Sequence, residues 1–429
     1  MRTMASTPDA LPPGFRRLSY GFFCWFIRSP AVLRGTGWLL RLWPSFGGLF
    51  GFVARAHSVT GVLTRPKSFS STAHAADLVA GDYLIAMDPG QTYDADRALL
   101  DARLEFLKDI QSVADGEAQR LVVELKQSGE RPAFDLIDDY LTWIAFRAIS
   151  PVFGTAADKL AVGEGGDIHD HRLLRQYFME IRYVAGQLLG GSSSPIDMRG
   201  RAELCGDALR ARVSAVADDL RRSWNVYLPS EAIERNALGL TWVSHPVTVQ
   251  SAALVLQELL SRPTVYRALR SRAAIIGAAQ VWQDDEFRKH VRDHVLELMR
   301  FRPIFPLLAR DVPRDTELET GARRNAQCRG GTKVTMWSIG ALFDPRAVEN
   351  SGQFCPHRDW GSHESLRYLV FGFGDRQCRA KEYALNIVTS ALIGLLTLPE
   401  VRLAHDDGKA IEYDGPLMSR MRVRFAKRA

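Results

Sequence analysis

The residues best suited to chemistry lie at positions 371–380, in the sequence Phe-Gly-Phe-Gly-Asp-Arg-Gln-Cys-Arg-Ala. Gly372 and Gly374 allow the backbone to turn tightly and to approach a flat ligand closely. Cys378 supplies a thiol, which in its ionised form is a nucleophile and a metal ligand. Arg376 is near enough to bind a carboxylate on the same ligand. The segment predicts a thiolate site for a flat ligand that bears a carboxylate.

The position of Cys378 relative to the next helix favours the ionised form. An apolar helical pattern follows at residues 383–396. Free N–H groups and the positive end of the helix dipole would then point toward the sulfur and stabilise its charge. The alternative is a buried structural cysteine beside a glycine turn.

A second feature is the pair Glu297 and Arg300 on a predicted helix. Their three-residue spacing places them on one face, where they can pair with each other and with a third group. Taken alone, such a pair is common and indicates a solvated helix face.

The elements that must position these residues are mostly helices. Apolar residues at helical spacing predict helices at 134–153, 169–189, 198–224, 231–260 and 287–301. Strand patterns are short and few, chiefly 49–55, 309–312 and 333–337. The sequence therefore predicts a mainly α fold with small β-sheets.

The predicted helix at 231–260 is apolar on nearly every side. A helix without a clear polar face is expected to run through the centre of a domain. Chemistry in the core should border this helix.

Composition limits the function classes. The chain has 429 residues, is 46% hydrophobic and lacks a linker-like segment, so one large domain is expected. Its net charge of +6 is spread along the chain, which makes nucleic-acid binding a weak interpretation. The five cysteines are odd in number and form no CxxC pair, which disfavours a zinc site or a disulfide framework and favours a reducing cytoplasm.

The N-terminal region is rich in Phe, Trp and Leu, but arginines and prolines interrupt it. No apolar run approaches the roughly 20 residues that cross a bilayer, and no signal peptide is expected. Residues 31–43 could form an amphipathic helix with weak peripheral membrane contact; the alternative is a first helix packed on the domain.

The segment with Cys378 resembles the Phe-Gly-x-Gly-x-Arg-x-Cys signature of the cytochrome P450 family, matching all five fixed positions from Phe371 on. Ala380 departs from the family's usual glycine. The resemblance implies a single-domain cytochrome P450 fold at residues 46–429 after an N-terminal segment at 1–45. It also implies haem b, with Cys378 as the ligand of the iron.

Other positions acquire roles through this resemblance. Arg358, in Phe-Cys-Pro-His-Arg, would complete a buried ion network with Glu297 and Arg300. Arg97 and Arg310 would bind haem propionates together with Arg376.

One of the propionate positions departs from the family. Tyr93 replaces the histidine of a His-x-x-x-Arg pair that Arg97 completes. A phenol can still donate a hydrogen bond to a propionate, although it has no positive charge.

The central helix also departs from the family. Members that activate oxygen have an acid followed by threonine, which guide protons; here Pro246 and Val247 occupy those positions. Thr248 is one residue late, which turns it by about 100° and predicts that it points away from the iron. His245 resembles in part the arginine of an Arg-Pro pair in peroxide-using members, although their enlarged cysteine loop is absent. His245 and Thr248 are the candidate catalytic residues; for His245 the alternative is a packed core histidine.

The resemblance implies an oxidoreductase that acts on a small apolar organic substrate. The first hypothesis is a non-standard route, either peroxide use or substrate rearrangement. One alternative is a conventional monooxygenase fed by ferredoxin and ferredoxin reductase; another is a non-catalytic haem-binding sensor or carrier. The segments 72–86 and 169–193 are expected to line the pocket.

Overall fold

The computed structural model describes residues 13–42, 45–47, 50–127, 133–190, 194–224, 229–320, 325–405 and 408–425. Several predictions extend beyond these ranges: residues 1–12 and 43–44 of the N-terminal segment 1–45, Trp43 of the amphipathic pattern 31–43, Leu49 of the strand pattern 49–55 and residues 191–193 of the pocket segment 169–193.

Helices dominate the described residues, as the sequence predicted. The α-helices in this part of the chain are α1 (Pro13–Ile27), α2 (Pro30–Leu42), α3 (Ala56–Leu63), α4 (Gln91–Leu104), α5 (Ile110–Gln127), α6 (Thr142–Ile149), α7 (Ala157–Val162), α8 (His171–Gly190), α9 (Ile196–Ala215), α10 (Ala217–Trp224), α11 (Ser230–Leu260), α12 (Pro263–Ile276), α13 (Asp285–Phe301), α14 (Ser338–Leu342) and α15 (Lys381–Leu396).

Within the described ranges the strands are short and form three small sheets. They are β1 (Ser45–Gly47), β2 (Phe50–Val53), β3 (Phe134–Asp135), β4 (Leu308–Asp311), β5 (Thr316–Leu318), β6 (Ala326–Cys328), β7 (Lys333–Met336), β8 (Val401–Leu403), β9 (Ile411–Asp414) and β10 (Leu417–Phe425). The first sheet has the order β1-β2-β7-β4, in which β2 and β7 are parallel. In the second, β10 pairs with β3, β8 and β9, and β5 pairs with β6 in the third.

Two predicted helices are broken in the structure. The pattern at 198–224 forms α9 and α10, because the chain leaves helical geometry at Val216. Residues 134–153, predicted as one helix, instead form β3, a π-helical turn at Ile137–Leu141, helix α6 and a 3₁₀ segment that begins at Ser150, in that order. Pro151 has no backbone N–H, which is consistent with the end of α6 at this point. Local periodicity did not reveal either interruption.

The predicted central helix is α11, which has 31 residues and is buried along most of its length. The larger hydrophobic core surrounds it and includes apolar side chains of α5, α6, α8, α13 and α15. A smaller core lies between the first sheet and helices α2, α3 and α14. The loop that contains Cys378 precedes α15, and this loop and α11 line the same cavity.

Helix α2 packs on the domain, which was the alternative to a free amphipathic helix. It buries Leu33, Gly37 and Arg41, and the Arg41 guanidinium donates to the Gly340 carbonyl at 2.6 Å. A Cβ on Gly37 would lie 2.9 Å from the Cα of Gly340, so the close approach of α2 to α14 requires glycine at this position. Among the residues described, none of the helices combines the length and apolarity that crossing a bilayer demands.

Candidate functional site

A cavity of about 410 Å³ lies between α11 and the loop that contains Cys378; we call it the cysteine cavity. Its volume is within the ~300–1,000 Å³ range of small-molecule sites. Apolar side chains form most of its wall, and the sequence-predicted residues Cys378, Arg376, Arg310, Arg97, Tyr93, Phe371 and Gly372 line it as well.

The glycine turn has the backbone geometry that the sequence predicted. Gly372 has φ 86° and Gly374 has φ 68°, a region that residues with a Cβ rarely adopt. The Cys378 N–H donates to the Phe371 carbonyl at 2.8 Å, and the Gln377 N–H donates to the Gly374 carbonyl at 3.0 Å. These hydrogen bonds close the loop and direct the Cys378 side chain into the cavity.

The protein surroundings act on the Cys378 thiol in two directions. Desolvation by the enclosing protein raises the pKa of the thiol, while the Ala380 N–H and the Lys381 ammonium lower that pKa. The helix start therefore stabilises the thiolate, as expected, but desolvation is the larger effect. A cation bound to the sulfur would reverse this balance, because a coordinated thiol is deprotonated.

Basic side chains gather in the cysteine cavity. Nη2 of Arg376 donates to the Leu84 carbonyl at 2.9 Å, and its guanidinium lies 4.9 Å from the centroid of the Tyr93 ring. Among the described residues, buried Nη1 of Arg376 has no hydrogen-bond partner, and the Asp88 carboxylate is 4.0 Å away. Burial, and then repulsion by Arg376, lowers the pKa of Arg310 to about 10.

Two buried guanidiniums that repel each other in one cavity favour an anionic ligand. Arg97 adds a third, partly buried guanidinium to the lining. A flat iron porphyrin with two carboxylates meets this requirement, with the thiol of Cys378 as a metal donor. The residues present therefore fit haem b.

The structure brings Glu297, Arg300 and Arg358 together. Arg300 makes a two-point contact with Glu297 at 2.9 and 2.8 Å, and Nη2 of Arg358 lies 3.3 Å from the same carboxylate. Glu297 also accepts the Cys355 N–H at 2.8 Å, and Arg300 donates to the Ser351 carbonyl at 2.7 Å. This network joins α13 to the segment 351–358, which precedes the cysteine loop.

The α11 wall of the cavity consists of Leu240, Val243, Ser244, Val247, Thr248 and Ser251. Their spacing is that of one helix face. Thr248 lines the cavity, so the expectation that it points away from the cofactor site is wrong. The cavity-lining face of α11 spans more than 100°, and positions 247 and 248 therefore both belong to it. Ser251, which sequence reasoning missed, follows Thr248 by three residues and could have been found from this spacing.

His245 points away from the cysteine cavity. Its Nε2 lies 3.0 Å from the Thr142 carbonyl, and its ring stacks on Phe178 with centroids 5.0 Å apart. Burial lowers the pKa of His245 to about 4. The structure therefore contradicts a direct role for His245 at the cavity and supports the packed-core alternative, because His245 is not among the lining residues and lies about 130° around the α11 axis from the centre of the lining face.

Changing His245 to phenylalanine is expected to weaken the acid dependence of stability. The folded pKa of about 4 lies below the usual 6.5, so the unfolded chain binds the proton first as the pH falls. Wild type should lose about 2 kcal/mol more unfolding free energy between pH 7 and pH 5 than the variant loses. Urea unfolding at both pH values measures this; equal losses would contradict the placement. His363→Phe, at an exposed position, is the control.

The predicted pocket segments contribute only in part. From 72–86, the cavity wall includes Tyr83, Leu84 and Ile85, and from 169–193 it includes Leu188 and Leu189. Other apolar wall residues, including Leu104, Ile149 and Val152, come from segments that sequence reasoning did not select.

Comparison with known proteins agrees with this geometry. A family model described as Cytochrome P450 matches residues 209–423. Mitochondrial cytochrome P450 11B2 of Mus musculus is 27% identical over 160 residues, which is 37% of this chain and 31% of that protein. The chain thus matches about a third of the length of such relatives.

Solved structures share the fold over nearly the whole chain. The open form of cytochrome P450 EryK from S. erythraea superposes with a TM-score of 0.69 at 17% identity, covering 92% of this chain and 95% of that one. P450BioI, solved in complex with an acyl carrier protein ligated to hexadec-9Z-enoic acid, gives a TM-score of 0.70 at 16% identity, covering 94% and 100%.

Proposed function

Because the chain belongs to the cytochrome P450 family, we propose that it is a haem-thiolate oxidoreductase that acts on a small apolar organic substrate. The family binds haem b through a cysteine thiolate, and Cys378 is the cysteine that lines the cavity. The observation that supports the proposal most strongly is the presence in one cavity of this cysteine, of buried Arg310 and of Arg376, whose side chain is 8% exposed.

We infer that Cys378 would bind the haem iron and that Arg97, Arg310 and Arg376 would bind the haem carboxylates, with Tyr93 as a hydrogen-bond donor, since all five line the cavity. The glycine turn allows the close approach of the loop. When bound, haem with a thiolate ligand supplies electron density that favours O–O bond cleavage. Apolar residues of the cavity wall exclude water and select an apolar substrate.

The α11 wall favours oxidation with a peroxide. Its six cavity-lining residues include three hydroxyls but no carboxylate and no histidine. An O₂-dependent hydroxylation consumes two protons and two electrons, and a side chain has to relay those protons. A peroxide already contains them: one oxygen atom enters the substrate and the other leaves as water or an alcohol.

The second candidate is a conventional monooxygenase that receives electrons from ferredoxin and its reductase. One observation favours it: Thr248, which carries a hydroxyl, lines the cavity. With water as the proton source, this hydroxyl could hold and pass a proton without a neighbouring acid.

Thr248→Val separates the two routes. If peroxide is the oxidant, turnover of an apolar substrate panel with hydrogen peroxide should change less than about twofold in the variant, since general acid catalysis by Thr248 is not needed. The contrary result is turnover only with O₂, NAD(P)H and ferredoxin components, with a loss of at least about tenfold in the variant. Ser261→Ala, at a hydroxyl beyond the cavity-lining residues, is the control.

We also propose that α1 and α2 contact the cytoplasmic surface of a membrane. Leu18, Phe22 and Trp25 are exposed at one face of α1, and Trp38 and Leu42 are exposed on α2. Large apolar side chains at i, i+4 and i+7 form the stripe of an interfacial helix. Helix α2 thus packs on the domain through Leu33, Gly37 and Arg41, while Trp38 and Leu42 on the same helix are exposed.

Vesicle binding tests this contact. The protein is expected to sediment with phosphatidylglycerol-containing vesicles, and a Phe22→Glu, Trp25→Glu variant should bind at least about tenfold more weakly because apolar area is lost. Ile275→Glu, at an exposed apolar position on α12, should bind as wild type does. Equal sedimentation of all three proteins, or of none, would contradict the proposal.

A further inference from the structure

Three histidines outside the cysteine cavity lie close together. His290 and His294 are four residues apart on α13, and His357 lies in the segment between Glu297's partners Cys355 and Arg358. One ring nitrogen from each lies within 4.8 Å of the others. A four-residue spacing on a helix places two imidazoles on one face, which suits a metal ion.

Hydrogen bonds orient two of the rings as in metal sites. Nδ1 of His294 lies 2.8 Å from the His290 carbonyl oxygen, so it has to bear the proton, and Nε2 retains its lone pair. Nδ1 of His357 lies 3.3 Å from an Asp293 carboxylate oxygen, so this Nδ1 bears the proton and Nε2 of His357 retains its lone pair. Such contacts to carbonyls and carboxylates are the usual outer partners of metal-binding histidines.

The distance between His357 and His290 is compatible with a shared ion. Nε2 of His357 lies 3.1 Å from Nδ1 of His290. Two nitrogens that bind one tetrahedral metal at about 2.05 Å are separated by roughly 3.3 Å. In the metal-free protein one proton can bridge these two nitrogens; a metal ion would replace that proton.

We propose that His290, His294 and His357 bind a zinc-type divalent transition metal ion, with water in the remaining position. Three imidazoles suit Zn²⁺ and its neighbours, whereas Mg²⁺ and Ca²⁺ prefer oxygen ligands. Asp293 is not a ligand, because its carboxylate contacts Lys289 at 3.2 Å and Arg367 at 2.5 Å. The carboxylate instead orients His357 and offsets positive charge.

The ion would connect the segment 351–358 to α13 beside the Glu297 network. His357 immediately precedes Arg358, whose guanidinium reaches Glu297. Binding to the folded state alone raises its stability by mass action, so zinc at 100 times its Kd should raise Tm by about 2–5 °C. This inference depends on the three side chains and not on the proposed oxidation chemistry.

Zinc titration of the full-length, haem-loaded protein tests the site. Calorimetry is expected to show one Zn²⁺ per chain, weakened at least about tenfold in His290→Ala and in His357→Ala. His357 is exposed, so His357→Ala should fold even if a change on α13 impairs folding. His363→Ala, at another exposed position, is expected to bind zinc as wild type does.

X-ray absorption at the zinc edge identifies the ligands. The expected result is nitrogen or oxygen ligands at about 2.0–2.1 Å. Sulfur ligands at about 2.3 Å, binding unaffected by His290→Ala and His357→Ala, or the lack of 1:1 saturable binding would overturn the proposal.

Discussion

Glu297→Gln is expected to lower the free energy of unfolding by about 3–5 kcal/mol, because it leaves a buried charge without its partner. The Arg300 side chain is 2% exposed and the Glu297 side chain 3% exposed. Glutamine keeps the size of the side chain, so lost packing does not explain the effect. Urea unfolding with a spectroscopic probe at constant protein and haem concentration measures the change.

The same helix offers a matched control. Glu286 pairs with Arg272, but its side chain is 84% exposed, and exposed pairs contribute about 0–1 kcal/mol. Glu286→Gln should therefore change stability by less than about 1 kcal/mol. Similar small effects in both variants would show that the Glu297 network does not stabilise the fold.

The loss of charge at Glu297 should also weaken haem retention at the cysteine site. Glu297 holds the Cys355 N–H and the Arg358 guanidinium, which belong to the segment before the cysteine loop. Haem is therefore expected to dissociate faster from Glu297→Gln than from Glu286→Gln. Transfer of haem to an excess of apomyoglobin gives both rates.

Cys378→Ser is expected to abolish the thiolate ligation of haem and to reduce turnover with any oxidant to the background rate. Serine is nearly isosteric, but its hydroxyl stays protonated near neutral pH and is a poor iron ligand compared with a thiolate. The apolar wall and the arginines Arg97, Arg310 and Arg376 remain, so some haem should still bind. Absorbance spectra and product formation under both oxidant systems measure the two effects.

Cys355→Ser is the matched control, because this half-buried cysteine lies in the ion-network segment but not in the cavity wall. It should keep the wild-type spectrum and turnover. If Cys355→Ser lost the thiolate spectrum and Cys378→Ser kept it, the assignment of the ligand would be wrong.

Much of the fold could be predicted from local pattern. Helices such as α11 and α13 have apolar residues at helical spacing, because one or more of their faces pack on the core. Their predicted positions were therefore correct within a few residues. The glycine turn was predictable because positive φ at Gly372 and Gly374 is a property of residue type. The breaks at Val216 and at the π-helical turn depend on tertiary packing, which a single sequence does not report.

The rotation of α11 about its own axis could not be predicted from the sequence. Periodicity gives the angle between Thr248 and His245 but not the direction of either, because the rotation of the helix is set by its neighbours. Thr142 and Phe178 contact His245 outside the cavity-lining face, and both come from other helices. The histidine cluster was missed for a related reason, since residue 357 reaches α13 only through the folded chain.

The absorbance spectrum of the reduced, CO-bound protein shows whether the Cys378 sulfur binds the iron of haem b. Wild type is expected to give a thiolate-type spectrum, and this spectrum should disappear in Cys378→Ser. A spectrum typical of histidine ligation in wild type, or a thiolate spectrum that persists in Cys378→Ser, would contradict ligation of the iron by Cys378.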